Sequence, residues 1–142
     1  MNVHPSLWGN DAWEFFYYIA LSYPKNPTPE EKDRYKNFFM LAGSVVPCAK
    51  CRKNFVKHFQ ELPIEEFLDS SYNLFTWVNT MHNKVRKKQK KQEFSVDDSF
   101  KYFMSQIQGK KQQESLISTK EYILLGIGVL IIVLYLLKKK WY

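Results

Sequence analysis

The chain is poor in cysteine, glycine and proline: 2 Cys, 5 Gly and 6 Pro in 142 residues. Two cysteines are too few for the disulfide framework of a small secreted domain. So little Gly and Pro argues against low complexity. No strand-like alternation and no internal repeat is present, so the soluble part is expected to be all-α. Met1 to Pro5 is not followed by an apolar run, and Asp11 and Glu14 interrupt the first apolar stretch, so no N-terminal signal peptide is expected. Acidic residues are also scarce, 14 Asp and Glu against 21 Lys and Arg, a net charge of +7. Such a balance suits an acidic or phosphate-bearing partner, or no more than a solvated basic face.

Aromatic residues are abundant, at 17%. They suffice for a compact core or for a pocket around a planar ligand. The length fits one domain with something added. Trp8, Ala12, Phe15, Phe16, Ile19 and Tyr23 recur at helical spacing over Leu7 to Tyr23, with Trp13, Tyr17, Ala20 and Leu21 on an adjoining stripe. Pro24 and Pro27 end that helix. Thr28-Pro29-Glu30-Glu31 predicts a capping box and a second helix to about Val45, with Tyr35, Phe38, Phe39, Leu41 and Ala42 inward. Pro47 breaks it, and Cys48 opens a third helix carrying Phe55, Phe59 and Leu62. Ser70 or Ser71 caps a fourth, with Tyr72, Phe75, Val78, Met81, His82 and Val85 inward and six basic residues in Lys84 to Lys91. Ser95 starts a short fifth helix to about Ile107.

The expected domain limits are 1–108 for this bundle, 109–120 for a polar linker and 121–142 for an anchor. Tyr122 to Leu137 holds sixteen residues without a charge, followed by Lys138 to Lys140, Trp141 and Tyr142. A spanning helix wants roughly 20 apolar residues. Lysine snorkelling and the aromatic ends favour a single-pass transmembrane helix, with residues 1–115 in the cytosol. A buried C-terminal core helix is the alternative.

Cys48-Ala49-Lys50-Cys51 is the chain's whole stock of thiols. A thiol at a helix N-terminus feels the positive end of the dipole, and Lys50, Arg52 and Lys53 add charge, so a thiolate is favoured and a redox-active pair is the first reading. A zinc site is the second. It would need two further ligands from His4, His58 and His82, at spacings that match no compact finger. Inert structural thiols are the third. Making disulfides from oxygen also needs a cofactor that hands electrons on, and flavin does that chemistry. Trp77, His82, Asn83, Lys88 and Lys91 could wall and charge such a site. Equally, Trp77 could be core, His82 a satisfied core histidine and the basic run a solvated helix end.

Taken in order, Trp8-Gly9, Trp13, Tyr23-Pro24-x-x-Pro27-Thr28, Pro47-Cys48-x-x-Cys51 and Trp77-x-x-x-x-His82-Asn83-x-Val85 with its downstream lysines resemble the flavin-dependent sulfhydryl oxidases of the ERV/ALR type. The resemblance covers about residues 7 to 103 and is nearest the short viral members with one CxxC. It implies a four-helix bundle with a short fifth helix, FAD at the bundle mouth, a homodimer, and no metal or nucleic acid. It implies oxidation of a dithiol protein, or of a thioredoxin-like carrier, with electrons passing through Cys48 and Cys51 to FAD and then to oxygen, giving hydrogen peroxide. Cys51 would be the flavin-proximal sulfur and Cys48 the interchange sulfur, exposed to substrate. Gly9, Trp13, Cys51, His82, Asn83, Val85, Lys88 and Lys91 match FAD-contact positions, and Trp77 would help wall the ring. Three positions depart from the family: Asn10 replaces an Arg, Tyr17 a His and Arg86 an Asn. Tyr17 could still stack or hydrogen-bond, and Arg86 could still donate. The alternative is a zinc-bound or basic membrane-anchored helical adaptor without catalysis.

Overall fold

The computed structural model describes residues 2–140, with side chains to residue 131. It is all-α among the described residues: α1 Gly9–Leu21, α2 Pro29–Val45, α3 Ala49–Glu61, α4 Ser71–Lys88 and α5 Val96–Lys140, with 3-10 turns at Pro5–Leu7 and Ile64–Phe67. The chain divides into two units, Met1–Phe103 and Met104–Tyr142.

Local chemistry sets most helix starts. Thr28 accepts from the Glu31 N–H while Glu31 reaches back to the Thr28 N–H, closing the capping box. Ser70 caps α4 through the Asn73 N–H, and Ser95 caps α5 through the Asp98 N–H. Cys48 itself caps α3. Val46, held extended by the following proline, ends α2.

The first unit packs an aromatic core. Phe16, Tyr17 and Ala20 of α1 meet Phe75, Val78 and Met81 of α4. Phe39 of α2 and Phe59 of α3 flank the Trp77 indole at 5.1 and 5.6 Å between ring centres. Burial differs from the sequence stripes in detail. Phe15, Leu41 and Tyr72 are exposed, whereas Gly43 is buried because α3 lays Phe55 directly on it.

The C-terminal expectations are corrected. The fifth helix is not short: α5 runs unbroken through 109–120, where a linker was expected. That stretch is rich in Lys, Gln and Glu, which are polar but good helix formers. The expected transmembrane helix is not borne out either: among the described residues no helix is long and apolar enough to cross a membrane. The uncharged run of sixteen residues rises only about 24 Å as a helix, against about 30 Å of hydrocarbon. Glu121 and Lys120 bound it on one side and Lys138 on the other. Trp141 and Tyr142 of the expected tail lie outside the described residues.

Candidate active site

Cys48 and Cys51 are joined in a disulfide across the first turn of α3. Cys48 Sγ accepts the Cys51 N–H at 3.1 Å. That bond and the helix N-terminus both stabilise negative charge on Cys48 when the pair is reduced. Arg52 is turned to the backbone, donating to the Val46 carbonyl at 2.7 Å.

The N-terminal segment straps this turn. The Val3 N–H donates to the Pro47 carbonyl at 2.8 Å, and the Asn2 side chain accepts the Ala49 N–H at 3.3 Å. Trp8 Nε1 holds the strap from behind through the Val3 carbonyl. Pro47 and Ala49 are the neighbours of Cys48 on either side. Cys48 is accordingly only 6% exposed, while Cys51 is half-buried. Cys48, expected as the outward sulfur, is thus the more buried of the two in the oxidised pair, beside a strap that no spacing argument reveals.

Gly9, Trp13 and Tyr17 fall four residues apart on one face of α1. Opposite them on α4 stand Asn79, His82, Asn83 and Arg86. The Trp13 and His82 rings are parallel, 4.6 Å apart with 8° between planes. The Tyr17 hydroxyl donates to Asn79 Oδ1 at 3.0 Å and lies 3.2 Å from His82 Nδ1. Burial pushes the Tyr17 phenol well above its ordinary pKa, against smaller opposing effects of the Arg86 charge and the Ser99 hydroxyl. Burial also pulls His82 down to about 4, helped by the Arg86 and Lys91 charges.

After α4, Lys90 takes a left-handed conformation (φ 55°) and returns the chain to the site. Asn83 clamps Phe94, accepting its N–H at 2.9 Å and donating to its carbonyl at 2.8 Å. Asn79 Nδ2 donates to the same carbonyl. The Arg86 guanidinium lies 3.7 Å from the Phe94 ring centre, and its Nε donates to the Gln92 carbonyl. Lys88 reaches Asn54 of α3 at 3.1 Å, three residues past Cys51. Val85 is half-buried and Lys91 exposed. Trp77 stands apart: it is 1% exposed in the core, with its Nε1 donating to the Leu62 carbonyl.

Among the described residues no group of three or more His, Cys, Asp or Glu side chains is placed to hold a metal. His58 instead pairs with Glu61 at 3.1 Å, and its Nε2 is buried without a hydrogen-bond partner. Lys84, then His58, hold Glu61 down to about 2.

The Erv1/Alr family model matches residues 10–108, well over half of the chain. The chain belongs to the Erv1/Alr family. A probable FAD-linked sulfhydryl oxidase of Acanthamoeba polyphaga mimivirus is 43% identical over 84 residues, covering 58% of this chain and 59% of the relative. The mitochondrial FAD-linked sulfhydryl oxidase of Saccharomyces cerevisiae is 34% identical over 63% of this chain and 46% of its own. This Erv1/Alr chain thus spans about half the length of these relatives. The crystal structure of the FAD-binding domain of Saccharomyces cerevisiae Erv1 superimposes with a TM-score of 0.62 at 32% identity, over 68% of this chain and 89% of that one. The yeast Erv1 core gives 0.63 at 30% identity.

The site residues of this Erv1/Alr chain fit a flavin dinucleotide. Trp13 and His82 offer flat parallel rings, Tyr17, Asn79 and Asn83 offer neutral polar groups, and Arg86, Lys88 and Lys91 supply positive charge for a diphosphate. Asn79 escaped the sequence reading. Its signal was there, because 75, 78, 79 and 82 share one helical face and a polar residue among them implies a buried partner.

Proposed function

We propose that this chain is an FAD-dependent thiol oxidase that forms disulfides in dithiol proteins or in a thioredoxin-like carrier. The observation that carries the reading is the Cys48–Cys51 disulfide capping α3, tied through Asn2, Val3 and Trp8 to the start of α1, the helix that stacks Trp13 on His82. Gly9, Trp13, Tyr17, Cys51, His82, Asn83, Val85, Arg86, Lys88 and Lys91 are the residues proposed to hold FAD. The core position of Trp77 favours a supporting part for it, behind the site.

A substrate thiolate attacks Cys48 Sγ, and the S–S electron pair leaves on Cys51 Sγ. The second substrate thiolate then attacks the substrate sulfur of the mixed disulfide. Cys48 leaves as a thiolate, stabilised by the Cys51 N–H and the α3 N-terminus. The substrate is oxidised by two electrons and the Cys48/Cys51 pair is reduced by two. When bound, FAD supplies the two-electron acceptor that returns the pair to the disulfide and passes the electrons to oxygen, giving hydrogen peroxide. Half-buried Cys51, the less covered sulfur of the pair, is the one proposed to face that acceptor.

The test is the visible spectrum of the purified protein and its oxygen consumption with dithiothreitol. A flavin band is expected, with turnover lost in Cys48→Ser while the band remains. Full turnover in both Cys48→Ser and Cys51→Ser overturns the reading.

A further inference from the structure

Asn79, Tyr17 and His82 form a hydrogen-bonded chain with one end fixed by the backbone. Asn79 is 1% exposed, and its Nδ2 donates to the Phe94 carbonyl at 3.0 Å. The opposite amide orientation would set oxygen against oxygen, so Oδ1 is the atom facing Tyr17. The Tyr17 hydroxyl gives its single proton to that Oδ1. Its oxygen is then left only as an acceptor for His82 Nδ1, 3.2 Å away. The imidazole must be the donor of that bond. His82 is neutral at pH 7, its pKa lying near 4, so one ring proton serves both nitrogens. Burial also keeps the Tyr17 phenol protonated, as a donor to Asn79 requires.

We infer that Asn79 and Tyr17 are positioning residues that lock His82 as the Nδ1–H tautomer and leave Nε2 as a bare acceptor. A ligand group meeting Nε2 must therefore bring an O–H or N–H, such as a sugar hydroxyl or an exocyclic amine. A phosphate oxygen, which only accepts, is not matched there. The ligand half of the inference rests on the FAD reading above, whereas the tautomer half does not.

The experiment is long-range proton–nitrogen correlation on protein labelled with 15N-histidine at pH 7. The three histidines are told apart by the signals lost in His82→Gln. Wild type should show a pyrrole-type Nδ1 and a pyridine-type Nε2 for His82. In Asn79→Ala, made together with Ser99→Ala to remove the other hydroxyl beside Tyr17, the Tyr17 proton is released to Nδ1, and the pattern should invert. A purely structural Asn79 would lower stability without inverting it. Where Asn79→Ala fails to fold, Tyr17→Phe removes the acceptor and should likewise free the ring from the Nδ1–H form.

A pyridine-type Nδ1 in wild type overturns the inference, as does a variant that folds and keeps the wild-type pattern. The inverted variant should bind FAD about tenfold or more weakly, the effect of facing a donor with a donor. Unchanged FAD affinity after inversion overturns the ligand half. Absence of flavin binding by wild type defeats the proposed function while leaving the tautomer result standing.

Discussion

Gly43→Ala sets two effects of opposite sign against each other. Gly43 lies inside α2, where alanine gains about 1 kcal/mol of helix propensity. A Cβ there, however, would fall 1.9 Å from Phe55 Cδ1, 2.1 Å from Cε1 and 2.5 Å from Cγ. Carbon atoms in contact sit at about 3.5–4.0 Å, so the ring must retreat by more than 1 Å. Turning the ring about its own axis does not clear Cγ, which is bonded to Cβ. The side chain must leave its rotamer or α3 must shift. Phe55 is buried and Phe59 lies 6.1 Å away between ring centres, so there is little room to yield. Overpacking of this kind costs about 2–3 kcal/mol, which outweighs the propensity gain and leaves a net loss of about 1–2 kcal/mol. Urea denaturation followed by far-ultraviolet circular dichroism measures it. Phe55→Ala should cost about 3–5 kcal/mol alone, and less in the Gly43→Ala background by most of the overpacking energy. A Gly43→Ala protein as stable as wild type, or a cycle additive to within about 0.5 kcal/mol, refutes the reasoning.

Two further predictions concern the site. Val3→Pro removes the N–H that straps Pro47, a bond worth about 1 kcal/mol. Alkylation of Cys48 in the reduced protein should then quicken about fivefold by mass spectrometry, with Cys51 little changed, and equal rates would show that the strap does not guard the thiol. His82 also carries a pH signature. Its pKa falls from the ordinary 6.5 to about 4 on folding, so between those values the unfolded chain binds more protons than the native one. Stability should be insensitive to His82 above pH 6.5, decline as pH drops toward 4, and level off below. Denaturation midpoints across that range should lose this part of the slope in His82→Gln, and an unchanged slope sinks the assignment.

What the sequence made legible follows the reach of the interactions involved. A cap is a bond between residues three apart. Thr28, Ser70 and Ser95 therefore announced their helices, and Pro47 with Cys48 marked the turn that carries the thiols. Which stripe of a helix turns inward depends on the partner helix. So Phe15 and Leu41 read as core but are exposed, and Gly43 is buried because a small residue is what Phe55 needs there. The stretch 109–120 is of another kind, since its Lys, Gln and Glu read as polar connecting residues yet propagate a helix well. The site divides along the same line. Trp13, Tyr17 and His82 could be picked out by residue type, but no spacing relates Tyr17 to Asn79, 62 residues away, or Val3 to Pro47. Such long-range bonds decide whether a candidate acts. The strap braces the turn on either side of Cys48, and the Asn79 amide sets which nitrogen of His82 a ligand meets. The difference between a cysteine pair and a working redox site thus lies in residues that carry no chemistry of their own.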